Sequence, residues 1–250
     1  MATTGTEQQL EPMPGDWQRA LAVVAHPDDM EYGAAAAVVE WIAEGKEVGY
    51  LLATRGEAGI DDLEPGESAR VREQEQRAST RTVGVSTLEF LDHRDGVIEE
   101  GVALRRDIAA ALRRHRPELV VTLNHHDTWG GRAWNTPDHR ALGRSVLDAV
   151  GDAGNRWIFP DQLEGGELEP WDGVRWVAVA GSPEPTHAVP VGEEAVRTAT
   201  ASLAEHRAYI SALSDEPVED YARSFVEWSV RLAADRFGGR ECVAFELYSR

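Results

Sequence analysis

The chain is poor in several things at once. Of its 250 residues one is cysteine, Cys242, and one is lysine, Lys46. A lone cysteine cannot close an internal disulfide or build a thiolate metal site, so any metal bound here must be held by His and carboxylate. The same scarcity points to a reducing compartment. Positive charge is outnumbered, with 25 Lys and Arg against 44 Asp and Glu and a formal net charge of −19. A surface that tracks phosphates needs the reverse balance, which argues against nucleic acid and anionic membranes as partners. Because the basic residues other than Lys46 are all arginine, the composition points to GC-rich coding and a bacterial source. No apolar run approaches the roughly 20 residues of a bilayer span. The longest, Ala34 to Val39 and on to Trp41 and Ile42, is broken by Glu40. The opening MATTGTEQQLEPMPG lacks the basic start and apolar core of a signal peptide. Residues 1–18 therefore read as a mobile tail before a single domain over 19–250, with a cytoplasmic location expected. A glycine-rich phosphate loop is also missing.

What is present is alternation. Residues 20–25, 48–53, 87–91 and 119–123 are short apolar runs with the length of buried strands. Between them, residues 33–46, 67–83 and 102–115 carry apolar side chains at helical spacing. Repeated βαβ predicts an α/β fold: a single doubly wound, mostly parallel, Rossmann-like sheet with helices on both faces. A helix over 138–150, a strand over 175–180, helices over 193–213 and 218–237 and a last strand over 242–248 complete the expectation. The polar loops AHPDD, TRGEAGIDD, DHRDG and NHHDTWGGRAWNTPDH follow the first four strands. In open α/β sheets such carboxyl ends border the ligand crevice, so the active site is expected there.

His26, Asp28 and Asp29 leave the first strand together, with Pro27 restricting the turn. Carboxylates there would repel a pyrophosphate, which argues against a dinucleotide enzyme. Capping of the next helix explains one Asp but not a His and two Asp. Asp138 and His139 open a later helix after the fourth strand. Two imidazoles and a carboxylate from two loops form an N/O site that suits zinc and leaves a place for water. A magnesium phosphohydrolase built on Asp28 and Asp29 would want an oxygen-rich site, and His26 and His139 count against it.

The segment AVVAHPDDMEYG, residues 22–33, closely resembles the signature of zinc-dependent de-N-acetylases of the PIG-L/LmbE type. That family includes N-acetylglucosaminyl-phosphatidylinositol deacetylase and the mycothiol-pathway deacetylase and amidase. The resemblance continues through LLATRGEAG, VREQEQRASTRTVGV, LDHRDG, RPELVVTLN and PDHRALG, covering residues 20–149. It implies Zn²⁺ held by His26, Asp29 and His139, with Asp28 as the catalytic base and Asp138 orienting a neighbouring histidine. It also implies that Arg72 contacts substrate and that Asp95 meets sugar hydroxyls. The expected reaction is removal of an N-acetyl or other N-acyl group from a small amino sugar or glycosylated metabolite. Cleavage of a larger amide, as in the mycothiol-conjugate branch, and a binding protein that has lost turnover are the alternatives; a homo-oligomer is left open.

One departure bears on mechanism. Relatives commonly have a histidine three positions before the last ligand, where this chain has Thr136. A replacement oxyanion donor is therefore expected. His126 is favoured over His125, because the adjacent Asp127 could fix its tautomer. Trp134 stands roughly where some relatives place a tyrosine and is expected to touch substrate. Trp129, Trp157 and Trp171 lie in loops suited to stacking, His187 is expected at the pocket rim, and His206 is expected to pack or face water. Trp41, Trp176 and Trp228 read as core.

Overall fold

The computed structural model describes residues 8–250. Strand β1 (Glu11–Pro12) is followed by β2 (Arg19–Val24), α1 (Asp29–Gly33), α2 (Ala35–Ala43) and β3 (Glu47–Leu52). Then come α3 (Pro65–Val83), β4 (Thr87–Phe90), α4 (Val102–His115), β5 (Leu119–Leu123) and α5 (Pro137–Gly154). The remainder is β6 (Trp176–Ala180), β7 (His187–Pro190), α6 (Glu193–Leu203), α7 (Arg207–Leu213), α8 (Val218–Arg231) and β8 (Cys242–Ser249). The strands form one eight-stranded sheet in the order β1-β7-β8-β6-β5-β2-β3-β4. β2 pairs in parallel with β3 on one side and β5 on the other. The winding reverses between β2 and β5, which opens a crevice at their carboxyl ends.

Alternation along β2 explains the helices on both faces. Ala20, Ala22 and Val24 join a buried layer with α2, α6 and α8, while Leu21 and Val23 join another with α4 and α5. Among the described residues no helix is long and apolar enough to cross a membrane.

Several expectations need correction. Residues 1–7 lie outside the described residues, but residues 8–18 are no mobile tail. Leu10 and Trp17 are buried, and β1 pairs with β7. Lys46 stacks 4.2 Å over the Trp17 ring and donates to the Gly15 carbonyl at 2.6 Å. One large aromatic thus anchors a segment whose polar composition suggested freedom. The helix expected over 33–46 breaks at Ala34, and that expected over 193–213 breaks before His206. α8 ends at Arg231, and a 3₁₀ turn (Ala234–Phe237) follows. The last strand runs antiparallel to both β6 and β7. Gly238 and Gly239, both at positive φ, reverse the chain just before it.

Candidate active site

The turn after β2 is strained in one place. Asp28 has φ +80°, left-handed backbone that is uncommon outside glycine, although Asp tolerates it better than most residues. Its neighbours hold it there. The Asp28 N–H donates to Gln76 Oε1 at 2.8 Å, and Arg72 Nη2 donates to the Pro27 carbonyl at 2.7 Å and to Asp28 Oδ2 at 2.8 Å. Burial pushes the Asp28 carboxyl up to about 6, with the Arg72 guanidinium pulling the other way. Room for that guanidinium comes from TRGEAG: a Cβ at Gly56 or Gly59 would collide with it.

Asp29 points to the other side. Its Oδ2 accepts from the backbone N–H groups of Ala25 and His26 at 2.9 and 2.8 Å, and its Oδ1 lies 3.0 Å from His139 Nε2. His26 Nδ1 is 3.7 Å from the same oxygen. Burial opposes charge on Asp29, yet His139 and His26 outweigh it and hold the carboxyl well below the usual range. The donor atoms of His26, Asp29 and His139 all fall within 4.8 Å of one another, close enough to hold a metal ion.

The outer nitrogens are also engaged. His26 Nε2 lies 3.1 Å from Asp138 Oδ2 and 3.1 Å from Asp95 Oδ1. Asp138 further accepts from the Gly96 and Ile98 N–H groups at 2.7 and 3.0 Å, so it orients His26 from a fixed position. Asp95 accepts from the Ala58 N–H at 2.8 Å as well. It thus joins the support of His26 while also lining the crevice. His139 Nδ1 lies 3.3 Å from Asn135 Oδ1, and Thr136 caps α5 by accepting from the His139 N–H at 3.3 Å.

Two expected site residues are turned away. His126 does not line the crevice: its Nε2 is 2.7 Å from Glu246 Oε2 on β8. Asp127, the residue thought to fix its tautomer, pairs with Arg140 and Arg144 instead. Trp134 is 65% exposed and stacks against Arg140 at 4.9 Å, while Trp129 on the same loop lines the crevice 5.6 Å from the His139 ring. His187 pairs with Thr186 and is absent from the rim. Trp228, expected in the core, is 56% exposed and also lines the crevice.

Residues overlooked in the sequence form a buried network behind Asp28. Gln76 Nε2 donates to Glu31 Oε1 at 3.0 Å, and Ser79 Oγ donates to the same oxygen at 2.5 Å. His206 is wholly buried, with Nε2 3.6 Å from Glu31 Oε2. Burial works against its protonation, but Glu31 prevails and raises its pKa. The one available signal was a set of polar residues, Ser68, Arg72, Gln76 and Ser79, recurring at helical spacing along one face of α3.

His26, Asp28, Asp29, Arg72, Asp95 and His139 border one cavity of about 850 Å³. The model of the family described as "PIG-L: GlcNAc-PI de-N-acetylase" matches residues 21–150. The chain belongs to the PIG-L family. This PIG-L chain is 30% identical over 141 residues to diacetylchitobiose deacetylase of Thermococcus kodakarensis, covering 56% of the chain and 51% of that protein. It is 30% identical over 174 residues to 1D-myo-inositol 2-acetamido-2-deoxy-alpha-D-glucopyranoside deacetylase of Geodermatophilus obscurus, covering 58% and 56%. The chain thus spans about half the length of these curated relatives. In fold it resembles N,N'-diacetylchitobiose deacetylase from Pyrococcus horikoshii, with a TM-score of 0.81 and 22% identity over 94% of this chain and 85% of that one. The PIG-L match contains His26, Asp28, Asp29, Arg72, Asp95 and His139, while the buried His206 behind them lies outside it. Helices α7 and α8, which close the far side of the cavity, lie beyond it.

Proposed function

We propose that this PIG-L protein is a zinc-dependent hydrolase that removes the N-acetyl group from a small amino sugar or a glycosylated metabolite. The observation that carries the reading is the convergence of His26, Asp29 and His139 beside a separately anchored Asp28 in one cavity. The donor set fits zinc: two imidazoles and a carboxylate, with Asp138 and Asn135 on their outer nitrogens. When bound, the metal supplies Lewis acidity that brings the pKa of water from about 16 to near 7. The names of the relatives support an N-acetylglucosamine-type substrate.

Asp28 moves the proton. With Oδ2 held by Arg72, Oδ1 is the oxygen left to accept a proton from water as water attacks the acetyl carbon. It returns that proton to the departing amine nitrogen as the C–N bond breaks, leaving acetate and a free amine. Its raised pKa, about 6, suits both halves of that exchange near neutral pH. Because His126 is bound to Glu246, the oxyanion donor assigned here is Tyr209. Its ring lies 4.0 Å from the Arg72 guanidinium, it lines the cavity, and burial pushes its hydroxyl up to about 12, so the proton is retained.

The test is acetate release from N,N'-diacetylchitobiose and N-acetylglucosaminyl glycosides, before and after chelation and zinc addition. Equimolar acetate and free amine, lost on chelation and restored by zinc, is the expected result. A zinc-loaded protein that releases acetate from none of them overturns the proposal.

A further inference from the structure

Outward from the catalytic corner the cavity changes character. Tyr32 of α1, three residues after Asp29, stands edge-on to Phe225 of α8 with ring centroids 4.7 Å apart, and Phe225 lies 5.6 Å from Trp228. The Tyr32 hydroxyl donates to the Tyr221 hydroxyl at 3.2 Å, fixing the inner end of this ladder to α1. Leu213, Trp228 and Leu232 also line the cavity and are 53%, 56% and 62% exposed. α8 already spends one apolar stripe, Ala222, Val226 and Val230, on the core. On its second stripe Phe225 is partly buried against that core while Trp228 stays exposed, and exposed aromatic surface lining a cavity marks a binding site. The charged group on this outer wall is Arg236. A cavity of about 850 Å³ is far larger than one sugar ring needs and falls in the range that buries an extended ligand.

We propose that the Tyr32–Phe225–Trp228 ladder is a subsite for an apolar arm of the substrate. The substrate is then an amphiphile, an N-acetylated amino sugar carrying an aliphatic or aromatic aglycone, with the acetamide at Asp28 and the aglycone along α8. This inference rests on the deacetylase reading. Two observations favour a substrate arm over a separate partner. The ladder shares one cavity with the catalytic corner, and its inner rung, Tyr32, belongs to the same short helix as Asp29. Binding energy from such a remote group raises kcat/KM without touching the reacting atoms.

The experiment compares octyl with methyl N-acetyl-β-glucosaminide, which differ only in the length of the alkyl arm. Each fully buried methylene is worth roughly fourfold in affinity, so partial burial of the chain should raise kcat/KM on the order of a hundredfold, chiefly through KM. Trp228→Ser and Leu232→Ser together should reduce that ratio at least about tenfold. Trp157→Ser, at an 81% exposed position outside the cavity, should leave it unchanged. Light scattering at assay concentration accompanies each measurement. Equal hydrolysis of both glycosides by the unaltered protein overturns the inference. So does a ratio that falls only where an oligomer dissociates, since a second copy of the chain then covers the wall. Failure of both glycosides to release acetate refutes the deacetylase reading instead. Calorimetric titration of the two glycosides into the resting protein still decides the arm, by tighter binding of the octyl compound that Trp228→Ser abolishes or by its absence.

Discussion

Replacing Gly59 with alanine adds one methyl group and should disable the site through Arg72. A Cβ there would stand inside the van der Waals radius of Arg72 Nη1 and 3.0 Å from the guanidinium carbon. The guanidinium is boxed in by the Pro27 carbonyl at 2.7 Å, Asp28 Oδ2 at 2.8 Å, the Gly56 carbonyl at 3.4 Å and the Tyr209 ring at 4.0 Å. Relieving the collision needs a displacement on the order of 1 Å, which opens the ion pair. A hydrogen bond to a charged group is worth roughly 1.5–3 kcal/mol, and stranding one partner of a buried pair costs about 3–5 kcal/mol. Displacement short of removal should fall near the lower figure, about 2 kcal/mol. Turnover should drop at least about tenfold as Asp28 loses its register. Urea denaturation and acetate release measure the two effects. Gly66→Ala, where nothing lies within 4 Å, is the control and should be near neutral. In an Arg72→Met background, Gly59→Ala should lose most of its effect. Unaltered stability and turnover in Gly59→Ala, or damage that persists in full without Arg72, would refute the reasoning.

Other consequences are independent of that pair. Tyr209→Phe should lower kcat at least about tenfold with zinc content unchanged, since the lost donor acts on the transition state; wild-type kcat would remove Tyr209 from the mechanism. His206, with its pKa raised by Glu31, contributes stability that is fully present below about pH 6.5 and lost as pH rises through its folded pKa. Thermal melts should therefore show His206→Gln destabilised more at pH 6 than at pH 9, and an equal deficit at both would contradict the buried charge.

The parts of the molecule legible in the sequence are those fixed by local pattern. Residues 20–25 and 119–123 read as strands because their apolar runs allow no other length-matched fate, and they form β2 and β5. The grouping of His26, Asp29 and His139 was legible because both segments leave adjacent strands at the crevice. What escaped depends on distant partners. Glu246, far along the chain on β8, captures His126, and nothing near His126 signals it. Asp95 reads as a free loop acid until the fold sets it against His26. Trp228 looked like core because helical periodicity does not distinguish one apolar stripe from two. Trp17 was hidden by polar neighbours, although its burial orders residues 8–18.

Zinc content and turnover measured together on Asp28→Asn and Asp29→Asn test the division of labour on which the mechanism stands. Asp28→Asn should retain stoichiometric zinc and lose at least about a hundredfold in kcat, because it removes the proton acceptor and leaves the donor set whole. Asp29→Asn should fail to hold zinc at the concentration that saturates the unaltered protein. Equal loss of zinc in both variants, or near-normal turnover in Asp28→Asn, would contradict the account.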